Sequence, residues 1–208
     1  MHKHTHNKIR LEHITSFGDA VFAFAITFMA LSIEIPNIPN NLTEPEVADK
    51  LVQLLPQFEI YLISFIIVGI FWIKYHQVFN QIEDSHSIMV WLNLIFLFFI
   101  TLVSFATALE INYGLYHSVF IVYAIILTAT GALLALIWLH ASKNKMLIDK
   151  NMSERQIKSF SVQSIIPSLV FISSIGISFI DIQVAQYFWL VIFPAQLFVR
   201  RKFAPTDD

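Results

Sequence analysis

The sequence predicts an all-α integral membrane protein with six transmembrane helices, and three observations carry that prediction. First, only 13% of its 208 residues are charged while 56% are hydrophobic; soluble domains carry about a quarter charged residues. Second, the apolar residues gather into runs too long for a soluble core helix. Third, Lys and Arg are distributed lopsidedly. Twelve of the thirteen fall in the N-terminal stretch, around Lys74, in the 141–158 connection and at the C-terminus, leaving Lys50 alone on the opposite side. With an even number of spans, that asymmetry puts both termini in the cytoplasm.

Composition also excludes chemistry. The chain has no cysteine, which removes disulfides, thiolate metal sites and cysteine nucleophiles. It has no phosphate loop, glycine-rich dinucleotide fingerprint, HExxH or GxSxG, and its charge pattern points to no nucleic acid. The potassium-filter sequence TVGYG is absent, so a carbonyl filter of that type is excluded. The first apolar run is too long for a signal core and no small-residue cleavage site follows it, so it reads as retained.

The polar MHKHTHNKIRLEH stretch, with His2, His4 and His6, reads as a solvated tail over residues 1–13. The first span is expected from Ile14 to Ile35, stopped by Pro36 and Pro39. Thr43-Glu44-Pro45-Glu46 reads as the capped start of a short interfacial helix. Spans two to six are expected at Pro56–Phe79, Ser87–Leu109, Leu115–His140, Phe160–Ile180 and Val184–Val199, the fifth and sixth interrupted by Pro167 and Pro194. Residues 14–199 thus form one six-helix membrane domain, with a second tail over 200–208. On the face opposite the bases, Glu34, Glu44, Glu46, Asp49, Glu59, Glu110 and Asp181 read as an acidic mouth that concentrates cations, or as a plain solvated surface.

The first span is the unusual one. At about 100° per residue, Asp19, Ala23, Thr27, Ala30 and Glu34 share a small and polar face, beside a bulky face of Phe24, Phe28, Leu31 and Ile35. An ionisable group in a span marks a functional or packing site. Asp19 reads either as a capped or ion-paired structural group, neutralised by Arg10, His13 or a base from another helix, or as an ion ligand. Trp72, Tyr75 and His76 read either as an interfacial aromatic belt or as a hydrogen-bonded cluster with Asp19 at the same depth. Most other intramembrane polar groups are hydroxyls suited to bonding their own helix or gluing helices together. They are too scattered for a catalytic constellation, so no enzyme is expected.

These residues resemble the transmembrane protein 175 family of potassium channels, in its bacterial single-repeat form. The family carries Arg-x-x-x-Phe-Ser-Asp followed by a run like AVIAIAITLLVLEIKVP; here His13-Ile14-Thr15-Ser16-Phe17-Gly18-Asp19 leads into AVFAFAITFMALSIEIP. ISFIIVGIFWIKYHQVF resembles the family's ISF…W-x-x-H-H-x-x-F pattern through Ile63, Ser64, Phe65, Trp72 and His76. The resemblance is strong over spans one to three and topological beyond. Two positions depart from it: His13 replaces the motif arginine and Gly18 the motif serine. Arg10 lies three residues before His13, where it can share a helical face and supply the missing charge.

The resemblance implies a homotetramer in the lipid bilayer, with the first helix lining a central pore that passes monovalent cations and prefers potassium. Transferred residue by residue, Phe24, Phe28 and Leu31 become hydrophobic constriction rings and Thr27 a hydroxyl ring that transiently meets K⁺. No cofactor is implied beyond the permeant ion. Arg10, His13, Phe17, Gly18, Asp19, Trp72 and His76 become the network at the cytoplasmic end. The small Ala23, Thr27, Ala30 stripe then serves close helix packing, while the constriction gates by dewetting. Phenylalanine at two ring positions is bulkier than the usual isoleucine or leucine, which implies a closed or low-conducting pore. The expected location is the bacterial inner membrane. The alternative is a proton-coupled secondary transporter titrating Asp19, although no internal repeat of the kind common in such proteins is evident.

Overall fold

The apolar runs form helices because a backbone in hydrocarbon must satisfy its polar groups internally. The computed structural model describes residues 10–37, 39, 41–84, 87–143 and 147–203. His2, His4 and His6, with the rest of the tail to residue 9, lie outside the described residues, as do Lys145 and residues 204–208. The helices are α1 Leu11–Ala30, α2 Glu44–Val52, α3 Leu55–Phe79, α4 Ser87–Tyr113, α5 His117–Lys143, α6 Glu154–Ser178, α7 Ile182–Phe188 and α8 Ile192–Lys202. No strand occurs among the described residues. Among the described residues, six helical stretches are long and apolar enough to cross a membrane, so the protein is an all-α, multi-pass membrane protein.

Helix α1 starts earlier and stops earlier than the sequence predicts. Arg10 is its N-cap and Glu12 lies in its first turn, so residues 11–13 belong to the helix and not to a tail. Its end comes at Ala30 with Leu31 as C-cap, five residues before the predicted Ile35. The chain beyond Ser32 is drawn off the helix axis: the Glu34 N–H donates to Gln57 Oε1 of α3 at 3.2 Å, and Pro36 disfavours helical geometry in Ile35.

The remaining boundaries follow local chemistry. Glu46 accepts from the Thr43 N–H at 2.7 Å, closing the capping box that starts α2. Ser153 and Gln156 close another, so α6 begins well before the predicted Phe160. The sixth span is broken into α7, a 3₁₀ turn at Trp189–Val191, and α8. Pro194 sits in the first turn of α8, where its missing N–H costs little. Pro167 remains inside α6, and Gly131 of α5 faces it: a Cβ there would lie 2.7 Å from Ser168 Oγ. Glycine thus lets α5 approach α6 at the proline.

Helices α1, α3 and α4 pack on one another, α4 leans on α5, α5 on α6, and α6 carries α7 and α8. Aromatic rings run through the contacts. Phe22 meets Tyr75 and Phe96, Phe71 meets Phe96 and Phe171, and Trp189 meets Phe171, Phe120 and Tyr123. At the basic end, Glu83 N–H donates to Leu147 O and Asp149 N–H to Gln81 O, pinning the 3–4 and 5–6 connections together.

Candidate ion pathway along the first helix

Helix α1 packs through Ile14, Gly18, Phe22, Ala25 and Met29, all buried. These follow the 3–4 residue spacing of one helix face, and they are held by specific contacts. Ser104 Oγ of α4 donates to Ala25 O at 2.8 Å, and Tyr75 OH of α3 donates to Ile14 O at 3.3 Å. Gly18 admits the Tyr75 ring, because a Cβ at residue 18 would stand 2.6 Å from the tyrosine oxygen. Tyr75 is fully buried and stacks on Phe96 at 5.6 Å. Tyr75 occupies the first histidine position of the W-x-x-H-H pattern, a further departure that fits the one at Gly18: the tyrosine fills the space a serine side chain would need.

The opposite face of α1 is uncovered. Phe24, Phe28 and Leu31 are 66%, 59% and 73% exposed, and Ala20, Ala23, Thr27 and Ala30 are exposed beside them. The Ala23–Thr27–Ala30 stripe therefore packs against no other helix among the described residues. Phe24 and Phe28 stack at 6.4 Å. Leu31 sits at the helix end and not within it, and Ile35 has left the stripe. The Thr27 hydroxyl donates to Ala23 O at 2.8 Å; with its hydrogen committed to the backbone, its oxygen lone pairs remain available as acceptors. Beside this face, Phe24, Phe28, Thr101 and Phe105 border an open groove of about 400 Å³.

Near the basic end, Asp19, Trp72 and His76 come together. Trp72 Nε1–H donates to Asp19 Oδ1 at 2.8 Å, and His76 Nε2 lies 2.7 Å from the same oxygen. The indole and imidazole meet edge-on at 4.9 Å, which fixes both donors. Phe17, two residues before Asp19, is exposed. Arg10 stands apart: its guanidinium pairs with Glu12 at 2.6 Å, nine positions or about 14 Å of helix from Asp19. His13 is exposed in the first turn of α1. The motif charge is thus not delivered to Asp19 by Arg10; an indole and an imidazole hold that carboxylate instead.

The acidic mouth is largely spoken for. Glu110 is buried and accepts from Gln186 Nε2 at 2.6 Å. Asp181 caps α7 through the Val184 N–H, and Glu59 accepts from the Tyr187 hydroxyl. Hydrophobic patterning could not separate these structural carboxylates from solvated ones, since each closes a contact with a distant helix or a cap. Among the described residues, no cluster of three or more His, Cys, Asp or Glu side chains is arranged to hold a metal ion.

Comparisons with known proteins bear on this arrangement. The family model described as "Endosomal/lysosomal potassium channel TMEM175" matches residues 13–103, from α1 through most of α4. A protein named as a potassium channel from Streptomyces collinus is 26% identical over 174 residues, covering 81% of this chain and 82% of that one. Another from Chamaesiphon minutus is 27% identical, covering 81% and 84%. The crystal structure titled as a lysosomal potassium-selective channel TMEM175 homolog from Chamaesiphon minutus superposes with a TM-score of 0.74 at 22% identity, covering 94% of this chain and 98% of that one. These matches agree with the α1 motif and the six spans: residues 13–103 match the TMEM175 family model, and the chain as a whole is similar to bacterial potassium channels and shares the fold of that TMEM175 homolog.

Proposed function

We propose that four copies of the chain assemble in the membrane and conduct potassium passively along the face of α1 that one copy leaves uncovered. That uncovered face carries the reading. It presents Phe24, Phe28 and Leu31 as apolar rings and the Thr27 hydroxyl oxygen between them. The potassium-channel names of the relatives support the choice of ion. One α1 cannot enclose a pathway, and the groove beside Phe24 and Phe28 leaves room for a neighbouring copy.

In this assembly the phenylalanine rings form a constriction that water leaves readily, which holds the pathway shut or poorly conducting. Thr27 oxygens, their hydrogens already donated to Ala23 O, replace part of the hydration shell of a dehydrating cation. Selectivity then comes from width, hydroxyl oxygens and partial dehydration. Asp19, held by Trp72 and His76, positions the basic end of α1 against α3. The basic connections and the termini face the cytoplasm of a bacterial cell, with the membrane unit spanning about 11–199.

The test is ion flux from liposomes holding the purified chain. Passive potassium flux that falls when sodium replaces potassium is expected, with Phe24→Ala raising it several-fold and Thr27→Val lowering the preference for potassium. Absence of flux in both the parent and Phe24→Ala overturns the channel. Flux that requires an imposed pH gradient hands the function to a transporter titrating Asp19.

A further inference from the structure

A cavity of about 550 Å³ opens between α3, α6 and α8 at the basic end of the bundle, on the far side of α3 from Asp19. Lys74 and Arg200 both line it, and no acidic side chain does. Lys74 is mostly withdrawn from solvent, and its ammonium donates to Gln163 Oε1 at 3.0 Å, while Gln163 Nε2 donates to Ser159 Oγ at 2.9 Å. This relay aims the lysine and leaves two of its three N–H donors uncommitted. Gln196 of α8, also in the wall, buries an amide Nε2 without an acceptor. Two cations and an orphan donor thus line one space. Beside Gln77 and Gln156, the wall carries an open apolar part: Ile73, Phe193 and Leu197 are each about half exposed in the same cavity.

We infer that this cavity binds the phosphate group of an anionic phospholipid. Lys74, Arg200 and the Gln196 amide receive the phosphate oxygens, and Ile73, Phe193 and Leu197 receive the first methylenes of the acyl chains. Cationic side chains at a membrane boundary attract anionic headgroups, and guanidinium adds paired donors in a geometry that matches phosphate. The apolar half of the wall selects a lipid over a soluble phosphate, which has nothing to place there. The site is independent of ion conduction: it faces the outside of the bundle, away from the uncovered face of α1.

Thermal unfolding of the full chain in neutral detergent tests it, with phosphatidylglycerol, phosphatidylcholine or inorganic phosphate added. Phosphatidylglycerol should raise Tm by several degrees and the other two should not. Arg200→Gln and Lys74→Gln should each remove at least half of that gain, and Arg201→Gln, one residue outside the cavity wall, should retain it. If Lys74→Gln does not fold, Arg200→Gln on the exposed end of α8 carries the test. A gain that survives in Arg200→Gln, or that Arg201→Gln loses equally, overturns the site in favour of diffuse surface attraction. A full gain from inorganic phosphate that depends on Lys74 and Arg200 overturns the lipid and makes the ligand the free anion.

Discussion

Gly18 and Tyr75 show how one position in α1 depends on one in α3. The tyrosine ring occupies the volume a residue-18 side chain would need, with closest approaches of 2.6 Å to its oxygen and 2.8 and 2.9 Å to ring carbons. Because the ring is fully buried and stacked on Phe96, it has no room to yield. Overpacking of this kind costs about 1–3 kcal/mol. Gly18→Ser should therefore lower the unfolding temperature in detergent by several degrees. Tyr75→His in the same chain, which restores the family pattern at both positions, should recover at least half of that loss. Independent, additive losses from the two substitutions would show that the pair does not interlock.

Asp19 teaches a related lesson about charge. Both of its donors come from α3, separated by one helical turn, and both meet the same carboxylate oxygen. Spacing alone placed Trp72, His76 and Asp19 at one depth, and that much was legible in the sequence. What spacing could not say is whether a charged neighbour would reach the carboxylate first. Arg10 was the natural candidate, and it is taken by Glu12, two residues away, because a local partner needs less ordering than one nine positions up the helix.

At the scale of the element, α1 has two faces that differ in shape more than in polarity. The bulky stripe of Phe24, Phe28 and Leu31 was visible as a period in the sequence, and so was the small stripe beside it. Which face turns inward was not visible. Helices in lipid are not sorted by hydrophobicity, because the lipid is as apolar as the core. The inward face is instead the one whose shape meets α3 and α4: Gly18 against Tyr75, Ala25 under Ser104, Phe22 among aromatic rings. The same absence of contrast hid the burial of Glu110, whose partner Gln186 is seventy-six positions away. Ser104 gives this docking its most direct test. Its hydroxyl is the hydrogen bond from α4 to the α1 backbone, and interhelical bonds of this type contribute about 0.6 kcal/mol and at most about 1.7. Ser104→Ala should lower stability by about that amount, while Thr101→Ala, whose hydroxyl bonds its own helix at Phe98 O, should change it less. Equal losses would mean that the α1–α4 contact is held by packing alone.

The whole molecule has a closed side and an open side. Aromatic contacts from Phe22 through Phe71 and Phe171 to Trp189 tie α1, α3, α4, α6 and the 3₁₀ turn into one body, while the outer face of α1 stays exposed among the described residues. Lipid or another α1 can cover that face, and the two differ in one measurable distance. Since the sequence has no cysteine, Ala23→Cys introduces a single thiol on the small stripe, where copies gathered around an axis approach each other. A disulfide needs Cβ atoms about 3.5–4.5 Å apart. Oxidation in the membrane should therefore convert Ala23→Cys into covalent dimers, the limit for one thiol per chain even within a tetramer. Ile125→Cys, on a half-exposed lipid-side position of α5, should give only the background from chance collisions. Light scattering of the same oxidised sample then fixes the number of copies. Cross-linking at residue 23 no greater than at residue 125 would leave α1 facing lipid, and with it Phe24, Phe28 and Thr27 would lose their place on an ion pathway.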